Sequence, residues 1–153
     1  MPFYDRKLVV EYARKWALSR NPSYYNYDKI GGDCTNFISQ CLYVGKREMN
    51  YRGYGWYYEN SNNKSPSWTG VEYLYKFLIN NKFEGPRGFL IDKNDLEIGD
   101  IIQLSFDGVV FGHSLIVTEI DRKNIKICAH TIDSLDRNLE TYNYKKSRNI
   151  KIK

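Results

Sequence analysis

One cysteine of the sequence lies where an enzyme would place a nucleophile. Cys34 follows Gly31-Gly32-Asp33 and opens a predicted helix, so the free backbone N–H groups and the dipole of that helix face its sulfur. We expect this environment to favour the nucleophilic thiolate, and the same N–H groups to stabilise an oxyanion on an attacked carbonyl. Cys41, two helical turns further on, lies in an apolar stripe and is interpreted as a small buried hydrophobe.

The sequence holds two histidines that could act as a base. His113 stands at the head of a predicted strand, on the face of Leu115 and Val117. His130 ends the following strand, so a hairpin between the two strands would bring both histidines to the same end of the sheet. A cysteine, a histidine on one strand and a third polar group on the next strand make a catalytic arrangement for nucleophilic attack.

The elements that must position these residues are helices first and antiparallel strands afterwards, which is the pattern of an α+β domain. Apolar residues at three- and four-residue spacing predict helices that begin at Asp5, at Cys34 with a stop at Gly45, and at Ser67 with an end near Asn80. A long loop is expected over 46–65. The predicted strands cover 101–106, 109–120 and 125–130, with a turn at Asp107-Gly108 and a short edge strand at 150–152.

Composition narrows the class of protein. The 153 residues suit one domain over 1–153, and an aromatic content of 16% argues against disorder. The net charge of +5 comes without any nucleic-acid-binding signature, so no nucleic acid partner is expected. No apolar run is long enough for a transmembrane segment, and residues 1–7 do not read as a signal peptide. We therefore expect either an intracellular protein or a domain of a longer exported chain, with an envelope location in the second case.

Residues 31–42, Gly-Gly-Asp-Cys-Thr-Asn-Phe-Ile-Ser-Gln-Cys-Leu, resemble the signature of the bacterial putative amidase domain family. Shorter matches are Tyr12-Ala13, Trp16, Asn21-Pro22, Trp56-Tyr57-Tyr58, Ser67-Trp68, Gly99-Asp100-Ile101-Ile102-Gln103, Gly112-His113-Ser114 and Ala129-His130-Thr131. The resemblance runs from the first helix to about Asp136, and the stretch around Cys34 is its specific part. It implies a member of the papain-like, NlpC-like superfamily of cysteine peptidases and amidases.

The resemblance implies a papain-like α+β fold, in which the helix that carries the nucleophile packs on an antiparallel sheet that carries the base. By position, Cys34 is the nucleophile and His113 is the general base. His130 is expected to orient the base, with Asp133 as the alternative third member. Asp33 is expected to cap the Cys34 helix and to support the site.

An aromatic substrate groove is expected on either side of the Cys34 helix. The residues assigned to it are Tyr24, Tyr25, Tyr27, Trp56 and Trp68. In NlpC-like enzymes a tyrosine shortly before the cysteine helps to form the oxyanion site, and the sequence does not single out one of the three tyrosines. No cofactor and no metal is required by this chemistry.

The leading hypothesis is hydrolysis of an amide bond in peptidoglycan through a thioester on Cys34, and acyl transfer would use the same residues. A different hypothesis is a non-catalytic module that binds cell wall or carbohydrate through the aromatic loop over 51–58. A third is a metal site made from Cys34, His113, Cys128 and His130, although no paired ligand spacing supports it.

Overall fold

The computed structural model describes residues 3–153, so Met1 and Pro2, where the expectation about a signal peptide begins, lie outside the described residues. The helices are α1 (Arg6–Trp16), α2 (Cys34–Lys46), α3 (Pro66–Thr69) and α4 (Val71–Asn80). The strands are β1 (Tyr58–Asn60), β2 (Asn63–Lys64), β3 (Gly88–Ile91), β4 (Ile101–Ser105), β5 (His113–Asp121), β6 (Asn124–Ala129), β7 (Ser134–Asn138) and β8 (Lys146–Ile152). The predicted α+β class, with N-terminal helices and antiparallel strands, is confirmed.

Within residues 3–153, six strands form one antiparallel sheet in the order β3-β8-β4-β5-β6-β7. The predicted edge strand at 150–152 is wrong in its place, because Ile150 pairs with Leu90 of β3 on one side and with Ile101 of β4 on the other. Both Ile150 and Ile152 are fully buried, as a central strand requires. β3 and β7 were not predicted, since short half-exposed segments carry little periodicity.

The sheet buries a different set of side chains on each face. The face toward the helices carries Ile101, Ile116, Cys128, Ile150 and Ile152, which pack with Phe37, Ile38, Leu42, Leu74 and Leu78. The opposite face carries Ile102, Leu104, Leu115, Val117, Ile127 and Ala129, which pack under Leu139. Alternation along each strand produces this division, and it decides which face each histidine occupies.

The local signals explain where the helices begin and end. Asp5 caps α1 through a hydrogen bond from the backbone N–H of Leu8 (3.2 Å). Gly45 does not end α2 as predicted, because Arg47 adopts the left-handed cap conformation (φ 63°). Gly45 instead allows α1 to approach, since a Cβ at this position would clash with Val9 Cγ2 and the Tyr4 ring.

Two other predicted segments are divided further in the structure. The predicted helix from Ser67 to Asn80 is broken at Gly70, whose extended backbone ends α3 and begins α4. The predicted loop over 46–65 contains the β1–β2 hairpin. Within residues 3–153, no helix is both long enough and apolar enough to cross a membrane.

Candidate functional site

Cys34 is the first residue of α2, and its side chain is half-buried. Its Sγ lies 3.6 Å from Thr35 Oγ1. Asp33 occupies the N-cap position, but its side chain makes no hydrogen bond to the N–H groups of the helix, so the predicted capping role is wrong. The first-turn N–H groups are therefore not occupied by a capping carboxylate, and they remain free to bind a developing oxyanion.

The Asp33 carboxylate holds the turn before Cys34 in another way. The side chain is 1% exposed. Its Oδ1 accepts hydrogen bonds from the backbone N–H of Tyr27 (2.9 Å) and from Asn36 Nδ2 (2.9 Å). Its Oδ2 lies 2.6 Å from His130 Nδ1. Asp33 thus fastens the preceding loop, the first turn of α2 and the end of β6 to one another.

His130 is fully engaged by this arrangement. Its Nε2 donates to the backbone carbonyl of Trp16 (2.8 Å), and its ring stacks on Phe37 at a centroid distance of 4.0 Å. Both ring nitrogens therefore lie within hydrogen-bond distance of an oxygen, Nδ1 of the Asp33 carboxylate and Nε2 of the Trp16 carbonyl. With both nitrogens occupied, His130 does not contact His113, and the structure does not place it where it would orient that residue.

Asp133, the alternative third member, is directed elsewhere as well. Its two carboxylate oxygens accept from Arg20 Nη2 (2.8 Å) and Arg20 Nη1 (3.0 Å). Arg20 also binds Asp28 and lies 3.6 Å from Asp33 Oδ2. Arg20 was not identified from the sequence, where a single arginine in a polar loop gives no signal of its three acidic neighbours.

His113 is the first residue of β5 and is 6% exposed. Its Nε2 is buried and has no hydrogen-bond partner among residues 3–153. The ring lies between Phe106 (6.3 Å between centroids) and Tyr142 (5.8 Å). Burial, and then the positive charge of Arg137, lower the pKa of His113 from 6.5 to about 4. The imidazole is therefore neutral at pH 7 and able to accept a proton.

The two histidines lie at the same end of the sheet but on opposite faces. Ile116 of β5 pairs with Cys128 of β6, and both face the helices. His130 is two residues from Cys128 and shares its face, whereas His113 is three residues from Ile116 and shares the face of Leu115. The hairpin prediction is confirmed by this register, but the strand alternation separates the two imidazoles.

Two contacts nevertheless join the surroundings of Cys34 and His113. Thr35, next to the cysteine, and Ser114, next to the histidine, have their hydroxyl oxygens 3.2 Å apart. Thr131 Oγ1 accepts from the backbone N–H of Asp33 (3.3 Å), and Thr131 also lines the cavity that contains His113. These contacts hold the chain segments that carry Cys34 and His113 next to each other at the end of the sheet.

The cavity at His113 has a volume of about 530 Å³. Its walls combine apolar, hydroxyl, amide and guanidinium groups, from Phe106, Gly112, His113, Thr131, Ile132, Arg137, Thr141, Tyr142 and Asn143. This size suits a ligand as large as a short peptide. Arg137 was missed by sequence reasoning, because its place beside His113 depends on the register of β6 with β7.

The five aromatic residues assigned to a groove have different environments. Trp56 and Trp68 are fully buried, so the expectation that they line a groove is wrong. Their rings pack 4.7 Å apart, and their indole N–H groups donate to Ser39 Oγ (3.1 Å) and Asn36 Oδ1 (3.0 Å). The physical reason is that a long aromatic loop after an amphipathic helix can fold back on the core as readily as it can stay in solvent.

Of the three tyrosines before Cys34, Tyr24 stacks on Trp68 and Tyr25 is 43% exposed. Tyr27 is bound to the turn before the cysteine, because its carbonyl accepts from the backbone N–H of Gly32 (3.1 Å). Its hydroxyl is buried without a hydrogen-bond partner among residues 3–153. The backbone of Tyr27 therefore holds the Asp33 turn, while its hydroxyl is unused.

The described residues contain no cluster of three or more His, Cys, Asp or Glu side chains arranged to hold a metal ion. Of the four residues in the metal hypothesis, Cys128 lies in the core and His130 is bound to Asp33. The structure does not bring these four side chains together.

Comparisons with known proteins give the family. An uncharacterized Bacillus subtilis (strain 168) protein, YhbB, is 39% identical over 137 residues, which is 86% of this chain and 42% of that protein. The chain thus spans less than half the length of that relative. No solved structure matches the chain. The family model described as putative amidase domain matches residues 3–153, and the chain therefore belongs to the putative amidase domain family.

Proposed function

We propose that this chain is a cysteine-dependent amidase of papain-like fold that hydrolyses an amide bond in peptidoglycan. One juxtaposition carries the proposal: the half-buried thiol of Cys34 begins α2, and Thr131, which accepts from the N–H of the preceding Asp33, also lines the cavity that contains the unpartnered Nε2 of His113. Membership of a family named for amidase activity supports the reaction class. The substrate class comes from the resemblance to NlpC-like enzymes, and the peptide-sized cavity is compatible with it.

In the first half of the reaction, His113 accepts the proton of the Cys34 thiol while Sγ attacks the carbonyl carbon of the amide. The carbonyl oxygen becomes an oxyanion, which the first-turn N–H groups of α2 stabilise. Collapse of the tetrahedral intermediate breaks the C–N bond, and His113 gives its proton to the leaving amine. The product of this step is a thioester on Cys34.

In the second half, His113 accepts a proton from a water molecule that attacks the thioester carbon. The second tetrahedral intermediate expels the Cys34 sulfur, which recovers the proton from His113, and the carboxylic acid product leaves. A base that is neutral at pH 7 can perform both deprotonations, and burial together with Arg137 keeps His113 in that form.

The role of His130 in this proposal differs from that of an orienting third member. His130 and Asp33 hold the turn that presents Cys34, through the 2.6 Å contact between Nδ1 and Oδ2. They act as positioning residues for the nucleophile. The reacting residues are then Cys34 and His113, and Nε2 of the base has no hydrogen-bond partner among residues 3–153.

The proton transfer requires His113 to turn toward Cys34 when substrate enters, since its Nε2 has no hydrogen-bond partner among residues 3–153 in the free protein. His113 is the first residue of β5, so the chain before it lies outside the strand. Hydrogen bonds between catalytic groups are commonly long in free enzymes and shorten when substrate binds. The contact between Thr35 and Ser114 holds the start of α2 against the start of β5, next to the two reacting residues.

The test is incubation of the purified protein with purified peptidoglycan, followed by mass spectrometry of the released fragments. We expect defined fragments with new free amines from the wild type and from Cys41→Ala, a control that removes a buried thiol. Cys34→Ala and His113→Asn should reduce release at least about 1,000-fold while each retains its far-UV circular dichroism spectrum. Full activity of Cys34→Ala would contradict cysteine catalysis.

A binding measurement on the same proteins distinguishes the amidase from a non-catalytic wall-binding module. Tyr51 and Tyr54 are exposed and available to such a module, although the tryptophans are not. Sedimentation with peptidoglycan that is equal for the wild type and Cys34→Ala, without fragments from either, would support the module. Fragment release that depends on Cys34 would exclude it.

A further inference from the structure

Arg137 is a guanidinium that has no acidic partner among residues 3–153. Other arginines near this end of the molecule are neutralised, since Arg14 pairs with Asp136 (3.2 Å) and Arg20 with Asp133 (2.8 Å). Arg137 instead makes hydrogen bonds to a threonine and packs on an aromatic ring. A half-buried cation without a counterion is a ready site for an anionic group.

Arg137 is also held in a fixed orientation. Its Nε donates to Thr141 Oγ1 (2.7 Å) and its Nη2 donates to the Thr141 carbonyl (3.2 Å). The guanidinium carbon lies 3.7 Å from the centroid of the Tyr142 ring. These contacts leave Nη1 outside the internal hydrogen bonds. Little conformational entropy then remains to be lost when a ligand binds.

The charge of Arg137 faces the cavity that contains His113. The walls of this cavity contain no aspartate or glutamate, and they add the hydroxyls of Thr131 and Thr141 and the amide of Asn143. The Thr131 hydroxyl and the Asn143 amide can each donate a hydrogen bond to an anion, whereas the Thr141 hydroxyl already donates to the Asn138 carbonyl (2.7 Å). The chemistry of the cavity is therefore matched to a carboxylate rather than to an amine.

We propose that Arg137 binds a carboxylate of the substrate beside the amide bond that is cleaved. This proposal rests on the proposed amidase function and narrows its substrate class to peptides that carry a free carboxylate close to the scissile bond. Arg137 is in this role a specificity-determining residue, and a carboxamide in place of the carboxylate would leave the guanidinium without a counterion.

A carboxylate bound to Arg137 would have a second effect, on the pKa of His113. The guanidinium is close enough to His113 for its charge to lower the pKa of the imidazole. A carboxylate on Arg137 would offset that charge and so favour the protonated form of His113, which the reaction needs in order to protonate the leaving amine. Substrate recognition and the basicity of His113 would then be linked through one residue.

Binding measurements on the full chain in the Cys34→Ala background test the proposal without turnover. The first pair of probes is N-acetyl-alanyl-alanine and its C-terminal amide. The second pair is N-acetyl-alanyl-glutamate α-amide and the corresponding glutamine amide, which places the carboxylate on a side chain. Isothermal titration should show about 10- to 100-fold tighter binding of the carboxylate form in at least one pair, as for a hydrogen bond to a charged group.

Three further substitutions in the Cys34→Ala background locate the effect. Arg137→Met should remove the preference for the carboxylate, and Arg137→Lys should keep part of it because the charge is retained. Lys145→Met is the matched control, since Lys145 is an exposed cation next to Gly108 that does not line the cavity. It should leave the preference unchanged.

The proposal is overturned by equal affinity for both members of each pair, by the absence of binding for all four probes at millimolar concentration, or by a preference that survives Arg137→Met. None of these results bears on fragment release from peptidoglycan by the wild type. The amidase function can therefore stand while the carboxylate site fails. Loss of Cys34-dependent release, in contrast, would refute the amidase and leave the binding result in place.

Discussion

The buried imidazole of His113 makes the stability of the protein depend on pH. Its pKa is lowered from 6.5 to about 4 in the folded protein, first by burial and then by the charge of Arg137. Between these two pH values the unfolded chain binds a proton at this residue that the folded chain does not bind. The contribution of the neutral His113 imidazole to the free energy of unfolding is therefore fully present above pH 6.5, and it is lost as the pH falls through about 4.

The size of the effect follows from the shift. One pKa unit corresponds to about 1.4 kcal/mol, so His113 alone should cost the folded state about 3 kcal/mol on going from pH 7 to pH 4. This is a substantial part of the total for a domain with an unfolding free energy of about 5–15 kcal/mol. His113 is 6% exposed, so screening by solvent reduces the figure little.

Urea unfolding of the wild type and of His113→Asn at several pH values between 7 and 4 measures this contribution. The carboxylates titrate in both proteins, so the difference between the two curves isolates the histidine. The variant should lose about 3 kcal/mol less than the wild type over this range. Parallel losses in the two proteins would refute the reasoning that burial keeps the His113 imidazole neutral.

Three other perturbations test separate parts of the structure. His130→Asn leaves the buried Asp33 carboxylate without its 2.6 Å partner and should lower the unfolding free energy by about 3–5 kcal/mol, as urea unfolding at pH 7 would show. Gly45→Ala places a methyl group against α1 and should cost about 1–3 kcal/mol, whereas an unchanged melting temperature would contradict the close approach. Arg137→Met removes a neighbouring positive charge and should raise the pKa of His113 above about 4, which an NMR titration of the imidazole carbons would detect.

Much of the fold could be predicted because local signals are strong in this chain. The cap at Asp5, the start of α2 at Cys34 and the turn at Asp107-Gly108 each depend on side chains close in sequence. The order of helices before strands then gives the α+β class. The hairpin between β5 and β6 follows from a short polar turn, and its register brings His113 and His130 to one end of the sheet.

The remaining features depend on pairings between distant residues. Nothing near Ile150 indicates that β8 lies between β3 and β4 instead of at the edge. The burial of Trp56 and Trp68 depends on hydrogen bonds from their indoles to residues of α2 that are 17 and 32 residues away along the chain. The pattern of apolar residues along one segment does not predict contacts between distant residues.

The candidate site also combines features that the sequence predicts with features that it does not. The position of Cys34 on a helix N-terminus was predictable from Gly31-Gly32-Asp33. The partner of His130 was not, because Asp33 is distant in sequence and acts through its side chain. Strand alternation alone places His113 and His130 on opposite faces once the register is known, and the register is a tertiary property.

The central place of β8 affects the order in which the protein can form during synthesis. β4 to β7 follow one another in the chain and pair with their sequence neighbours, so this part of the sheet can assemble as it leaves the ribosome. β3 pairs with β8, so β3 cannot join the sheet until β8 has been made. The hydrogen bond from the Arg6 side chain of α1 to the carbonyl of Ile152 (2.6 Å) also forms only after β8 has been made. The nascent chain therefore exposes β3 and one edge of β4 until β8 has been made, and unpaired strand edges favour aggregation during this interval.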